Sequence, residues 1–293
     1  MNINYELYKT FYYVAQNLSF SQAAKDLFIS QSAVSQSIKS LEKELNTSLF
    51  IRNTKKVSLT KEGQLLFKHI EPAFNLIKSG ERSIQEINSF ENGEIHIGAN
   101  DTISKDFLLP YLQKFHQLYP QIHIQITNRT SNTCVELLKQ GRVDLIITNL
   151  PNQNITDFMV VEDIFEFKDV FIGGNKFNEL KNKEIRIKDL AGYPVLMLEK
   201  KTTTRRFFDN LTKKFGVEIV PEVELGSIDL LIEMARIGLG ISFVPDYCLK
   251  ESYKNIFKID IKKELPKRKL AVVTNKNIPL SIASNKFIKL LTQ

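Results

Sequence analysis

The sequence predicts an α/β protein made of a small helical head, one long helix and a larger domain of alternating strands and helices. Three observations carry this prediction. Residues 5–45 read as three consecutive helices, residues 66–87 repeat apolar positions at heptad spacing, and from Gly93 onward short strands alternate with helices. A chain of 293 residues is long enough for two domains, or three. The expected division is a head over 1–60, a linking helix over 61–92 and a larger domain over 93–293.

In the head, Leu7, Phe11, Val14 and Ala15 keep a helical stripe that ends at Leu18-Ser19. Ser21 to Leu27 is a short helix with Ser19 or Ser21 as its N-cap. After a break at Phe28-Ile29-Ser30, Gln31 to Leu45 forms a longer helix. Ser30 is its cap and Val34, Ile38, Leu41 and Leu45 its buried face. Asn46 stands where a left-handed residue closes a helix. Residues 49–59 read as a hairpin turning at Asn53-Thr54.

The next helix starts at Thr60-Lys61-Glu62-Gly63. Its apolar positions step through Leu66, Ile70, Ala73, Ile77, Gly80, Ile84 and Ile87. So narrow a seam, flanked by Lys, Glu, Asn and Ser, suits a dimer helix; a helix lying on its own domain is the alternative. Pro72 and Ser79-Gly80 predict a bend or an interruption.

Beyond Gly93 the expected order is strand Glu94–Ala99, helix Phe107–Tyr119, strand Ile122–Thr127, helix Cys134–Gln140 and strand Val143–Thr148. A looser stretch fills 151–190. Then come strand Val195–Leu198, helix Thr204–Phe215, strand Glu218–Val223, helix Ile228–Arg236, strand Gly240–Val244, strand Leu270–Thr274 and helix Ser281–Leu291. Such alternation implies a mainly parallel sheet.

Composition removes several classes. No uncharged stretch approaches the roughly 18–20 apolar residues of a membrane span, so no membrane partner is expected. Met1-Asn2-Ile3-Asn4-Tyr5-Glu6 lacks the basic and apolar regions of a secretory signal, so a cytoplasmic location is expected. Cys134 and Cys248 can form at most one disulfide, and two buried thiols are the expectation. The charge is 40 basic against 33 acidic residues, which permits a polyanion partner. Arg52, Lys55, Lys56 and Lys61 fall within ten residues free of acid, and phosphate contacts are expected there first.

Residues 19–41 carry the sharpest signal. Two helices joined by a short turn, with Ala23-Ala24 in the first and an exposed polar run in the second, fit a helix-turn-helix. Small residues let the helices cross closely. The second helix then offers Gln31, Ser32, Ser35, Gln36 and Lys39 to a major groove about 12 Å wide. Ser21 joins this set from the first helix. A helical hairpin with a merely solvated face is the alternative, but the basic hairpin that follows reads as a wing beside a recognition helix.

The run from Ser19 to Glu42 resembles the winged helix-turn-helix of LysR-type transcriptional regulators, as do Leu49-Phe50-Ile51-Arg52 and Val57-Ser58-Leu59-Thr60-Lys61-Glu62-Gly63. The resemblance is specific over residues 5–65 and looser over the whole chain. Ser32 departs from a proline frequent in the family, and Asn46 from a common glycine. The resemblance implies a DNA-binding regulator that dimerises through the linker helix and assembles as a tetramer. It also implies a C-terminal two-lobed α/β domain similar to periplasmic solute-binding proteins, with a small-molecule effector between the lobes. Lobe one would take 93–162 and 268–293, and lobe two 163–267.

Ligands of open α/β sheets sit at the C-terminal ends of strands, near helix starts. That independently selects loops holding Asn100, Thr102, Ser104, Thr130, Thr148, Thr202, Thr203 and Ser227. Each hydroxyl can equally be a helix cap. Arg129, Lys200 and Lys201 suit an anionic effector, and can equally be solvated.

Enzyme readings fare poorly. His69, His96, His116 and His123 are dispersed, and no spacing suits zinc, so no metal or other cofactor is expected. Gly238-Leu239-Gly240 reads as a helix stop before a strand, not a phosphate loop. A solute-binding transport receptor would need a signal peptide and no helix-turn-helix. An α/β enzyme with a DNA-binding head would need a catalytic constellation. Neither condition is met.

Overall fold

The computed structural model of the chain describes residues 3–53, 56–89, 93–250 and 253–293. The chain forms two compact units that divide within the long helix, after Glu81. Among the described residues, no helix is long and apolar enough to cross a membrane.

In the first unit α1 (Tyr5–Asn17) is capped by Asn4, whose Oδ1 accepts the Glu6 N–H at 2.9 Å. It ends at Leu18 in the left-handed region, φ 46°. α2 (Phe20–Asp26) is capped by Ser19 and not Ser21, the Ser19 hydroxyl accepting the Gln22 N–H at 3.2 Å. α3 (Gln31–Glu44) is capped by Ser30 as expected, and Asn46 has φ 50°. β1 (Phe50–Asn53) and β2 (Lys56–Leu59) pair antiparallel, Phe50 opposite Leu59 and Asn53 opposite Lys56. Phe11, Val14, Ala23, Val34, Ile38 and Leu41 are wholly buried together. Ala23 at the centre explains how α2 and α3 approach so closely.

α4 (Lys61–Ser89) runs unbroken through Pro72, so the expected interruption is not there. A side chain at Gly63 would collide with the Leu49 carbonyl, which accounts for the glycine. Leu66, Phe67 and Ile70 pack on the head's core, Phe74 stacks on Tyr12, and the Tyr12 hydroxyl donates to Asn75 Oδ1 at 3.0 Å. The first part of the seam therefore serves its own head. Further along, Ala73 is exposed and Ile77 and Ile84 are 56% and 61% exposed. The side chain of Ile87 lies outside the described residues.

In the second unit the end of α4 is followed by β3 (Glu94–Ala99). The helix expected at Phe107 starts earlier. α5 (Asp101–Ile103) is capped by Asn100, whose Oδ1 accepts the Ile103 N–H at 2.8 Å, and continues through a π-helical turn, Ser104–Leu108, into α6 (Leu109–Leu118). β4 (His123–Asn128), α7 (Ser131–Lys139) and β5 (Leu145–Leu150) follow, each within three residues of expectation at either end. The looser stretch is in fact ordered. It holds β6 (Met159–Phe167) and β7 (Asp169–Gly174), separated by Lys168 alone. Next come β8 (Val195–Leu198), α8 (Thr203–Lys214), β9 (Val223–Leu225), α9 (Ile228–Arg236), β10 (Ile241–Pro245), β11 (Ile256–Ile259), β12 (Arg268–Asn275) and α10 (Ile282–Leu291). The strand expected over Glu218–Val223 is only β9, beginning at Val223. Gly238, at φ 80°, closes the turn after α9 as a helix stop should.

Two five-stranded sheets result, ordered β4-β3-β5-β12-β6 and β11-β7-β10-β8-β9. They are mixed rather than mainly parallel. β12 runs antiparallel to β5 and β6, and β7 antiparallel to β10 and β11. The reason is that β6 and β7 enter without a crossover helix, so nothing forces them parallel. β6 pairs with β12 from Met159 opposite Asn275 to Phe167 opposite Arg268. The first lobe thus runs through Phe167, five residues beyond the expected boundary at 162. Each sheet is covered on both faces. Ile97 and Leu145 face Phe115 and Phe287, while Ile146 and Val273 face Cys134 and Leu138. In the second lobe Phe171, Phe208 and Phe243 form one layer, and Ile172, Leu196, Leu231 and Val244 the other. Burial on both faces explains the unbroken apolar runs of the inner strands.

Candidate nucleic-acid interface and ligand cleft

α3 offers solvent the residues expected of a recognition helix. Gln31, Ser32, Gln36 and Lys39 are exposed, and Ser35 is half-buried. Ser21 donates to Gln31 Oε1 at 3.0 Å, tying the start of α2 to the start of α3. Arg52 is not a free cation on the wing. Its Nη1 donates to Ser35 Oγ at 3.0 Å, its guanidinium lies 4.3 Å from the Phe20 ring centroid, and Glu42 stands at 4.0 Å. Glu42 also accepts the Leu49 and Phe50 N–H groups at 2.7 and 3.3 Å. One acidic residue of α3 therefore holds the start of β1 against the recognition helix. Lys56 is exposed on β2, and Lys55 lies outside the described residues.

Between the lobes lies a cavity of about 290 Å³. Of the eight residues expected there, it is lined by Asn100, Thr102, Thr130, Thr202 and Thr203. Three stand elsewhere. Ser104 is inside the π-helical turn, Thr148 is fully buried and accepts from Asn152 Nδ2 at 3.1 Å, and Ser227 is set back while its neighbours Gly226 and Ile228 reach the wall. Capping is the established role for Asn100, Thr130, Thr202 and Ser227. They accept the N–H groups of Ile103, Thr133, Arg205 and Leu230 at 2.8, 3.4, 3.2 and 3.3 Å. Thr102 and Thr203 are not helix caps.

Asn149, in the loop expected to contribute Thr148, lines the cavity in its place, and so does Tyr247, which lies outside every loop the sequence selects. Asn149 is 3% exposed and its Oδ1 has no hydrogen-bond partner; neither has the Tyr247 hydroxyl. Leu198, Ile228 and Pro245 supply an apolar wall, and Arg129 and Asp101 the charged lining. Lys200 lies instead in a groove of lobe two with Arg205, a residue already paired with Asp209 and Glu224 at 2.8 and 3.1 Å. The lobes touch around the cavity. Asn132 Nδ2 donates to the Lys201 carbonyl at 2.7 Å, and Lys105 is ion-paired with Asp229.

Residues 5–64 match the bacterial regulatory helix-turn-helix protein, lysR family, and residues 88–293 match the LysR substrate binding domain. The chain belongs to the LysR family. It is a transcriptional regulator with a helix-turn-helix DNA-binding head and a substrate-binding domain. It is 30% identical over 275 residues to a probable RuBisCO transcriptional regulator of Cyanidium caldarium, covering 92% of this chain and 87% of that one. It is 27% identical over 290 residues to YbhD, an uncharacterized HTH-type transcriptional regulator of Escherichia coli, covering 97% and 89%. In fold it is similar to full-length CbnR complexed with its target DNA, with TM-score 0.69, 17% identity and 99% of each chain covered. A full-length OxyR variant from Pseudomonas aeruginosa gives TM-score 0.73 and 20% identity over 99% and 97%.

Proposed function

We propose that α3 reads an operator in double-stranded DNA, with Gln31, Ser35 and Gln36 at base edges and Ser21, Ser32 and Lys39 beside them. Arg52, Lys55 and Lys56 meet phosphates or the minor groove. The bond from Arg52 to Ser35 carries this reading, because it joins wing and recognition helix into one surface. Gln is suited to adenine edges and a cation to phosphate. A protein-only footprint on the region upstream of its own gene tests it; protection of two half-sites is expected, and uniform protection refutes sequence reading.

The second domain takes a small effector between its lobes, at Thr102, Thr130 and Thr203 together with Asn149 and Tyr247. Thr202 and Asn100 shape the rim. The chain turns into a helix at Asn100, Thr130, Thr202 and Ser227 around one cavity, and free N–H groups of first turns favour an anion. At roughly 30 Å³ per water-sized unit the space suits a molecule of about ten heavy atoms. The exposed seam at Ala73, Ile77 and Ile84 supports a dimer, with Ile87 continuing the repeat, and two dimers form a tetramer. The protein acts in the cytoplasm, binds its effector without transforming it, and is not an enzyme.

A further inference from the structure

The π-helical turn Ser104–Leu108 belongs to lobe one but meets lobe two at Lys105 and Asp106. Lys105 is ion-paired with Asp229 of α9. Tyr247, just after β10, packs its ring against the cores of both lobes. Between these contacts sits Asp106. Its side chain is 3% exposed, Lys250 Nζ lies 3.7 Å from Oδ1, and the Cys248 thiol is in hydrogen-bond contact with the carboxyl group. Asp106 Oδ1 accepts no hydrogen bond.

That is a poor setting for a charge. A buried carboxylate is tolerated when close cations and donors replace its water. Here the one cation paired from the facing lobe stands at 3.7 Å, beyond hydrogen-bond reach, and is itself half exposed. The groups facing Asp106 are Lys105 on its own turn, then Lys250, Cys248, Tyr247 and Asp229 from lobe two, with Tyr253 farther out. Burial raises the Asp106 carboxyl above the usual carboxylate range, Lys105 and Lys250 draw it back in part, and Asp229 adds to the rise.

We infer that Asp106 links the closing of the two lobes to proton uptake, so that acid favours the closed cleft. The inference rests on the reading of the cavity as an effector site whose lobes move against each other. When the lobes part, Lys250, Cys248 and Tyr247 withdraw together and water reaches the carboxylate. Its proton affinity then returns to that of an ordinary aspartate, near 3.9. A group with the higher proton affinity in the closed form stabilises that form below its raised value, and the contribution fades as pH climbs through it. The effector therefore meets a cleft whose resting balance is set by pH, and its own preference for one arrangement adds to that balance.

The test uses the full chain with dyes on Glu136→Cys in lobe one and Lys214→Cys in lobe two, both exposed positions. Energy transfer is followed from neutral pH down to about pH 4, where an ordinary aspartate begins to titrate. The wild-type distance should shorten in acid. Asp106→Asn, which keeps the shape and removes the charge, should hold the short distance throughout and lose the pH response. Lys250→Ala should move the transition to higher pH, because the cation favouring the charged form is gone. A response that survives Asp106→Asn, or a wild-type distance indifferent to pH, overturns the proposal. Operator binding is read on the same samples. A protein that binds its operator while its lobes ignore pH removes only the proton linkage; one that prefers no DNA sequence refutes the regulator reading instead.

Discussion

Arg268 at the start of β12 and Asp169 at the start of β7 form an ion pair across the two lobes, Nη1 to Oδ2 at 2.8 Å, with neither side chain reaching solvent. Arg268 also donates to the Leu150 carbonyl at 3.2 Å and to Thr204 Oγ1 at 3.3 Å, and its guanidinium lies over the Phe207 and Phe167 rings. The pair sits at both strands by which the chain passes between lobes. Burial pushes the Asp169 carboxyl upward, and Arg268 opposes the shift.

Removing one partner should therefore cost far more than removing both. Arg268→Met leaves a buried carboxylate without its cation, and a loss of about 3–5 kcal/mol is expected in urea unfolding. Arg268→Met with Asp169→Leu should recover part of that loss. Equal destabilisation of the single and double variants would deny the pair its coupling.

On the head, Gln31→Ala and Gln36→Ala should each relax operator preference by about 1–3 kcal/mol. Lys56→Ala should weaken all sequences alike and lower the salt slope by about one ion. Arg52→Ala should do both, because Arg52 also positions Ser35. Gel shifts with operator and scrambled duplexes over a salt series separate the cases; full discrimination in the two glutamine variants counts against α3 as the reader.

Ile77→Asp with Ile84→Asp should yield monomers in sedimentation while the helical signal stays intact, since both side chains are more than half exposed in one protomer. Tight operator binding should be lost with the dimer. A double variant that remains dimeric places the interface elsewhere.

In the cleft, Thr202→Val is a compromised probe, because Thr202 caps α8 and its loss should cost about 1 kcal/mol of stability. Thr102→Val is the cleaner change. It should abolish the effector response in a reporter titration and leave operator binding untouched. A normal response takes Thr102 out of the site.

Burial pushes the Cys134 thiol up to about 11. The thiolate is the reactive form, so alkylation of Cys134 at about pH 8.5, where an ordinary thiol is half ionised, should be negligible in the folded protein and rapid in denaturant. Mass-spectrometric counting of modified sites decides it, and prompt labelling of the native chain contradicts the burial.

The head was legible because its signals are local. Ser30, Asn46 and the spacing of Val34, Ile38 and Leu41 each act within one or two helical turns. β6, β7 and β11 were not legible. β6 is an edge strand whose middle residues are largely exposed, so its sequence shows no clean alternation, and β7 follows after one residue without a turn signal. The cleft was half legible. Its helix starts were found, but Thr148 was expected where Asn149 stands, because β5 is buried on both faces and no apolar-polar alternation reveals which way its last residues point. Tyr247 belongs to a short turn after β10 that no periodicity announces.

The first sixty-two residues contain no glycine, and three reversals of the head fall on Leu18, Phe28 and Asn46 at positive φ. Left-handed backbone costs a residue with a side chain roughly 1–2 kcal/mol, so the head spends part of its packing energy on its own corners. In exchange its unfolded chain has fewer conformations to lose, and its joints have few alternatives once packed. The spacing between recognition helix and wing is thus settled before any duplex arrives. A rigid reader gives up little entropy on binding and cannot remould itself to a poor site, so mismatched DNA must supply the distortion, and discrimination gains from stiffness written into the amino-acid choice at three corners.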